Sequence, residues 1–127
     1  MKLKLFAVML CFLSACSGEQ VWTPPPQKWG EFDVHLETRP EVMGQGMNEF
    51  LVFVRRKGQV HIPDLLVKIR TSSSSWRQAM PDGALGIYRR SLLVNDMKHE
   101  KLYVRLSYHG QEGALTFELF PANTAAE

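Results

Sequence analysis

The chain has 127 residues, 45% hydrophobic and 22% charged, which fits one small domain with a single core. Its formal charge is +2, but Lys2 and Lys4 lie in a segment that we expect to be removed, which leaves 13 basic against 13 acidic residues. A mature chain this close to neutral argues against nucleic acid, or an anionic bilayer, as a partner held by bulk charge.

The N-terminus is predicted to be a secretory signal followed by a lipid anchor. Residues 1–4 are positively charged, and the apolar run at residues 5–13 is too short for a membrane-spanning helix. The run ends in Leu13-Ser14-Ala15-Cys16, which resembles the lipobox of bacterial lipoproteins, where the cysteine receives a diacylglyceryl group and becomes the first mature residue. The resemblance implies cleavage after residue 15 and a lipidated Cys16.

Cysteine content agrees with this interpretation. Cys11 falls inside the signal, so Cys16 is the only cysteine of the predicted mature chain and no internal disulfide is possible. The alternative is an ordinary secreted protein with an unpaired cysteine. Two or three acyl chains anchor a protein more firmly than one chain does. Because Ser17 rather than aspartate follows the cysteine, the motif resembles the outer-membrane sorting pattern, so we expect the outer membrane, facing the periplasm, in a Gram-negative host.

Residues 16–29 are predicted to be a tether between the lipid and the domain. Pro24-Pro25-Pro26 favours an extended polyproline conformation, which makes a semi-rigid spacer. Trp22 and Trp29 flank the prolines and are expected to pack on the edge of the domain. The alternative, a proline-rich ligand for an aromatic groove, has only one short proline run in its favour.

The domain is predicted to span residues 30–121, with a flexible tail at 122–127. Residues 48–56, with the sequence NEFLVFVRR, hold five consecutive large apolar residues and are predicted to be a central strand buried on both faces. Apolar and polar residues alternate at 32–37, which predicts a half-buried strand, and Arg39-Pro40 ends it.

The rest of the domain shows further strands separated by turns. Lys57-Gly58 predicts a tight turn, Pro63 limits the pairing of a strand at 60–70, and the polar residues 71–75 predict a solvated, mobile loop. No segment has a convincing helical repeat. The spacing predicts an all-β fold, a small immunoglobulin-like β-sandwich of about seven strands. The later strands are expected at 85–94, 102–108 and 115–119.

Six segments, together with Gly58, carry a family resemblance: residues 46–54, the strand at Val67, Met80-Pro81-Asp82-Gly83, Gly86-Ile87-Tyr88, and the strands at 102–106 and Phe117. Their order resembles the YtkA-like and FixH-like domains, small immunoglobulin-like sandwiches exported or anchored at bacterial membranes. FixH-type members are tied to the assembly of a copper-containing terminal oxidase, but they carry a transmembrane helix where this chain has a lipobox.

This resemblance makes copper the first metal to consider, since thioether and imidazole groups bind it. Met43 with Met47, and Met97 with His99, are the only close pairs of such residues, and no His-x-His or Met-x-x-Met motif occurs. A copper site on these four residues is therefore the alternative, and ordinary loop and core side chains are preferred. No cofactor is otherwise predicted.

Catalytic motifs are lacking in the sequence. It contains no Gly-x-Ser-x-Gly, no His-Glu-x-x-His and no cysteine free for catalysis. A pair of carboxylates from Asp33, Glu37, Asp64 or Asp96 stays open, although scattered surface acids are the simpler interpretation. The predicted function is a non-enzymatic binding or accessory module for an envelope protein partner. The alternative is copper handling or respiratory oxidase assembly.

Two sets of residues are candidates for binding this partner. Trp76-Arg77-Gln78 opens a predicted loop at 76–83 that ends in a Pro-Asp-Gly turn, and aromatic and arginine side chains are enriched in interface hot spots. The alternative is that Trp76 closes the end of the core with Met80. The doublets Arg55-Arg56 and Arg89-Arg90 form a second candidate, since pairing of their strands would bring them into one cationic patch.

Overall fold

The nine strands of this computed structural model, which describes residues 21–83 and 85–121, form two antiparallel sheets packed face to face. The predicted all-β sandwich is therefore confirmed. The strands are β1 (Gln27–Trp29), β2 (Phe32–Arg39), β3 (Gly46–Arg56), β4 (Leu66–Thr71), β5 (Arg77–Gln78), β6 (Met80–Pro81), β7 (Ile87–Val94), β8 (Lys101–Tyr108) and β9 (Gln111–Glu118).

Some predictions concern residues outside this range. The signal, the lipidated Cys16 and the tail at 122–127 lie outside the described residues. Within those residues, no helix is long and apolar enough to cross a membrane.

The strand order matches that of an immunoglobulin domain. One sheet has the order β1-β2-β3-β7-β6 and is called the five-stranded sheet; the other, β5-β4-β8-β9, is called the four-stranded sheet. Strands β2, β3, β7 and β6 take the places of immunoglobulin strands A, B, E and D, and β4, β8 and β9 those of C, F and G. Because the chain crosses between the sheets, β3 and β7 are neighbours although three strands separate them in sequence.

The apolar strand β3 lies at the centre of the five-stranded sheet. Phe50, Val52 and Val54 point into the core and are fully buried. On the opposite face only Leu51 is fully buried, and Phe53 is partly exposed. The prediction of burial on both faces is therefore wrong except at Leu51, because neighbouring side chains cover only the middle of this outer face.

The sandwich begins three residues before the predicted boundary. β1 pairs with β2, and the Trp29 ring stacks on Phe32 with 5.3 Å between centroids. Trp29 also lies so close to Gly113 of β9 that an added Cβ there would be 2.3 Å from the indole. Gln27 Nε2 donates a hydrogen bond to the carbonyl of Thr116 (2.6 Å). Because β1 bridges the edges of both sheets, it belongs to the domain and not to the tether.

Strand β4 begins later than predicted. The backbone is irregular over residues 60–65, and extended pairing starts only at Leu66. Pro63 has no amide donor, and Asp64 follows it with a φ of 67°, outside the extended region. These two residues explain why residues 60–65, which were predicted to begin the strand, are not part of it.

The serine run after β4 forms a hydrogen-bonded turn in which Ser72 and Ser75 are exposed, as predicted for a solvated loop, while Ser73 and Ser74 are half-buried. The buried carboxylate of Glu100 accepts hydrogen bonds from the N–H and the hydroxyl of Ser73 (2.8 and 2.9 Å) and from the N–H of Asp96 (3.0 Å). Ser72 Oγ accepts a further bond from the N–H of Lys101 (3.0 Å). This Glu100 network joins the loop after β4 to the loop after β7, and thereby one sheet to the other.

Candidate functional site

The outer face of the four-stranded sheet brings together basic and aromatic side chains that are distant in sequence. Lys68 and Arg70 of β4 point outward, because the residues between and beside them alternate into the core. Arg70 lies opposite Tyr103 of β8, and Lys68 lies opposite Arg105. Trp76, directly before β5, lies over the same face. These five residues are called the basic–aromatic face.

Stacking positions the two guanidinium groups of this face. Cζ of Arg105 lies 4.5 Å from the centroid of the Trp76 ring, and Cζ of Arg70 lies 5.5 Å from Trp76 and 4.5 Å from Tyr103. Each such contact stabilises by about 0.5–1 kcal/mol at an exposed site. A guanidinium stacked through its plane keeps the N–H groups at its edge available to carboxylates. The aromatic rings therefore hold both guanidinium groups close together on one face.

The cations of this face have no acidic partner in the described part of the chain. Four of the described lysine and arginine side chains form ion pairs, among them Lys101 with Glu118 at 3.4 Å on the same sheet. Lys68, Arg70 and Arg105 form none, which they share with six other described cations. Nε of Arg70 is buried and donates to no acceptor of those residues. No acidic side chain of the described residues therefore neutralises the charge of these three side chains.

Sequence reasoning identified Trp76 but missed its four companions. The available signal was spacing: Lys68 and Arg70, like Tyr103 and Arg105, are two residues apart, which places both members of each pair on one side of a strand. Which strands are neighbours, and in which register, is not contained in that spacing.

The predicted loop at 76–83 is a crossing between the sheets. Its first part is β5, which pairs with β4, and its second part is β6, which pairs with β7. Between them Ala79 is buried, and its N–H donates to the carbonyl of Val67 (2.9 Å). The predicted Pro-Asp-Gly turn begins with Pro81, the last residue of β6, and reaches Gly83, which has a φ of 58°.

Trp76 lies on the outer surface and not in the core. It is absent from the buried apolar cluster, and Met80 is 57% exposed. The alternative in which Trp76 and Met80 close the end of the core is therefore wrong. Arg77 and Gln78 are exposed on β5, next to Trp76 along the chain. All three residues of the predicted binding segment therefore lie at the edge of the four-stranded sheet.

The arginine doublets do not converge. β3 and β7 pair as expected, but Arg89 lies opposite Leu51, four residues before Arg55, a separation of roughly 13 Å along the strand. The two members of each doublet also point to opposite sides of their strand, so Arg55 and Arg56 cannot share a face, nor can Arg89 and Arg90.

Two of these arginines bind groups within the domain. Arg56 Nη1 donates to the hydroxyl of Tyr108 (2.8 Å), at the edge of the sandwich. Arg89 lies between the carboxylates of Glu49 and Asp82. Both guanidinium groups are therefore partly satisfied before any partner arrives, in contrast to those of the basic–aromatic face.

The residues of the copper alternative lie at one end of the sandwich. Gly46 pairs with Val94, which brings the loop of Met43 and Met47 to the end of β7, where Met97 and His99 follow. Met43 packs against the core, whereas Met47 is 64% exposed, and His99 Nδ1 lies 3.3 Å from Asp96. Among the described residues, no group of three or more His, Cys, Asp or Glu side chains is placed to hold a metal.

The other titratable groups have structural roles. The pKa of Asp96 is lowered because the N–H groups of Lys98 and His99 donate to its carboxylate (2.9 and 3.0 Å), which fixes the turn after β7. Burial against Phe53, on which the imidazole stacks at 4.4 Å, lowers the pKa of His35. The four acids considered for a paired carboxylate site each lie beside a different basic side chain. Asp33 is next to Lys28, Glu37 to His35, Asp64 to His109 and Asp96 to His99.

Comparison with known proteins assigns neither a family nor a function to this chain. No family model matches the sequence, and no curated protein sequence is significantly similar to it. A DUF4426 family protein from Pseudomonas aeruginosa PAO1 has a similar solved structure, with 17% sequence identity and a TM-score of 0.45 over 76% of this chain and 97% of that chain. A likeness this weak carries no argument about function, so the YtkA-like and FixH-like resemblance stays a prediction.

Proposed function

We propose that this chain is a lipid-anchored, non-enzymatic binding module of the bacterial envelope, and that its basic–aromatic face docks on an acidic segment of an envelope protein. The observation that carries the binding role is the group Lys68, Arg70 and Arg105, adjacent on one face and without an acidic partner in the described residues. The anchor rests on Leu13-Ser14-Ala15-Cys16, and the resemblance to YtkA-like and FixH-like domains supports the same location.

The composition of the face favours a protein partner. Arginine and large aromatic side chains are enriched in interface hot spots, because their planar groups lose much water on contact and combine apolar area with hydrogen bonding. Trp76 supplies the apolar area, while Arg70 and Arg105 supply donors aimed around it. Such a centre suits an acidic segment that also presents apolar side chains.

A photo-crosslinking residue placed at Thr116 tests the docking. Thr116 lies on β9 opposite Tyr103, beside the face but outside it, and Ser91, exposed on the five-stranded sheet, is the matched control position. We expect a discrete protein adduct from Thr116 and none from Ser91. Arg105→Glu is expected to weaken the adduct about tenfold or more, equivalent to about 1.4 kcal/mol. Arg55→Glu, which reverses an exposed charge on the other sheet, should leave it unchanged.

Two results contradict the proposed docking. One is an equal adduct from both crosslinker positions, and the other is an adduct from Thr116 that Arg105→Glu does not weaken.

The anchor is tested separately by Cys16→Ser. Because acylation precedes cleavage of a lipoprotein signal, this variant should accumulate as unprocessed precursor or move to the soluble fraction, whereas the wild-type chain should partition into detergent. Unchanged processing and membrane association in Cys16→Ser rule out the lipid anchor and leave the docking face to be judged by its own experiment.

A further inference from the structure

One end of the sandwich is fixed beside the predicted tether. Val21 and Thr23 line an open cleft of about 650 Å³ together with residues 37–41, at the end of β2. The start of β3 and the end of β7 lie at the same end, since Gly46 pairs with Val94. This region, formed by residues 21–23, the loop at 40–45 with the first two residues of β3, and the loop at 95–99, is called the tether-side end.

Exposed apolar side chains are concentrated at this end. Eight large apolar side chains are exposed in the described residues, and five of them lie here, so the distribution is not even. The other three lie at the start of β4 and on either side of the turn between β6 and β7. The five are Val42 (71% exposed), Met47 (64%), Trp22 (40%), Met97 (37%) and Val21 (36%).

Chain length limits how far this end can lie from a lipid at Cys16. Four residues lie between Cys16 and Val21, so five Cα-to-Cα steps join them, and a fully extended chain of that length reaches at most about 18 Å. If the acyl chains of Cys16 are in a bilayer, as the proposed function requires, the tether-side end lies within that distance of the bilayer surface.

We infer that the tether-side end rests on the membrane, with Val42, Met97 and Trp22 in the headgroup region. Tryptophan is enriched at this depth because its ring is apolar and its N–H is polar. Val42 and Met97 are exposed in the loops before β3 and after β7. The charges beside them are mixed, with Glu41 before Val42 and with Asp96 and Lys98 on either side of Met97, so the contact does not depend on net charge. The contact is apolar and shallow, so it sets the orientation of the domain while the acyl chains supply the affinity.

Because the acyl chains dominate membrane affinity, the test must measure depth and not partitioning. The full chain is purified from membranes and reconstituted into vesicles of phosphatidylethanolamine and phosphatidylglycerol. Cys16 is acylated under the proposed function, so Val42→Cys or Met97→Cys provides the only free thiol for an environment-sensitive fluorophore. Gln59→Cys and Gln111→Cys are the matched controls, because both residues are exposed at the opposite end of the sandwich, Gln59 after the turn that follows β3 and Gln111 at the start of β9.

We expect a headgroup-spin-labelled phospholipid to quench both tether-side labels at least about twofold more than both far-end labels, as a depth of roughly 5–10 Å at the interface implies. Equal quenching at the two ends of vesicle-bound protein overturns this inference and leaves the anchor intact. Labels whose emission depends on protein density but not on the lipid quencher indicate a second copy on this end and also overturn it. Failure of the full chain to stay on the vesicles refutes the anchor, and this inference with it.

Discussion

Removal of the Glu100 carboxylate should be among the most damaging single changes in the domain. Glu100→Ala leaves three donors without their acceptor: the N–H and hydroxyl of Ser73 and the N–H of Asp96. A buried polar group that loses its partner costs about 1–3 kcal/mol, but Ser73 is half-buried and Asp96 is exposed, so water replaces part of what these donors lose, and we expect a loss of about 2–3 kcal/mol. That is a large part of the roughly 5–15 kcal/mol that stabilises a typical domain.

Two further variants give the prediction a graded scale. Glu100→Gln keeps one oxygen for the donors but turns an NH₂ group toward another donor, so we expect a loss of about 1–2 kcal/mol. Glu118→Ala is the matched control, because it also removes a carboxylate but an exposed one, whose ion pair with Lys101 (3.4 Å) contributes about 1 kcal/mol or less. Stability should therefore fall from Glu118→Ala through Glu100→Gln to Glu100→Ala.

Urea unfolding of the full chain in detergent, followed by tryptophan fluorescence, measures this order through the midpoint at constant slope. The burial of an ionised carboxylate has its own desolvation cost, and that cost opposes the three hydrogen bonds. If Glu100→Ala unfolds at the same urea concentration as Glu118→Ala, the two contributions cancel and the Glu100 network does not hold the two loops together.

Three more predictions follow from local geometry. Gly86→Ala should cost at least about 3 kcal/mol, because a Cβ there would be 2.7 Å from two backbone carbonyl oxygens at a φ of 72°, whereas Gly83→Ala, with φ 58° and open space, should cost about 1 kcal/mol in the same unfolding assay. Burial lowers the pKa of His35 below its ordinary value of 6.5, because the folded domain favours the neutral imidazole. The contribution of His35 to the stability of the fold is therefore complete above pH 6.5 and is lost as the pH falls from 6.5 through the lowered pKa, and His35→Gln should flatten this part of the stability–pH curve. Metal analysis after Cu(I) loading and desalting should find less than one copper per chain, because Met43 packs into the core while Met47 lies exposed; stoichiometric copper that a double substitution of these two methionines abolishes would refute this.

Local patterns predicted the strands whose side chains alternate. Leu102, Val104 and Leu106 are fully buried in β8, as their period of two predicts, and β2 behaves in the same way. The pattern was misleading at β3. An uninterrupted apolar run suggests that both faces of the strand are buried, but neighbouring side chains cover only Leu51 fully on the outer face. The pattern also gave no sign of β1, because a strand of three residues is too short to show an alternation of apolar and polar side chains. The contact that places β1, between Trp29 and Gly113, joins residues far apart in the chain.

The groups that define the candidate site depend on long-range pairing. Arg70 and Tyr103 are neighbours only because β4 pairs with β8 in one particular register, and a shift of that register by one residue would turn one of them into the core. Glu100 and Ser73 meet for the same reason, since both flank that strand pair. The arginine doublets differ from these pairs, because long-range pairing is not needed to judge them. Consecutive residues of a strand point to opposite faces, so the sequence alone already shows that the two arginines of a doublet do not share a face.

The proposed anchor and the proposed binding face together impose a constraint on the proposed partner. β4 and β8 run between the two ends of the sandwich, so the basic–aromatic face stands upright from the bilayer if the tether-side end rests on it. Arg70 and Tyr103 lie one residue from the end of this strand pair, at Thr71 and Leu102, and Lys68 and Arg105 lie about 7 Å further out. An acidic segment that binds this face must therefore approach parallel to the membrane and close to its surface, which a membrane-bound protein beside the module can do and a freely diffusing one does less readily.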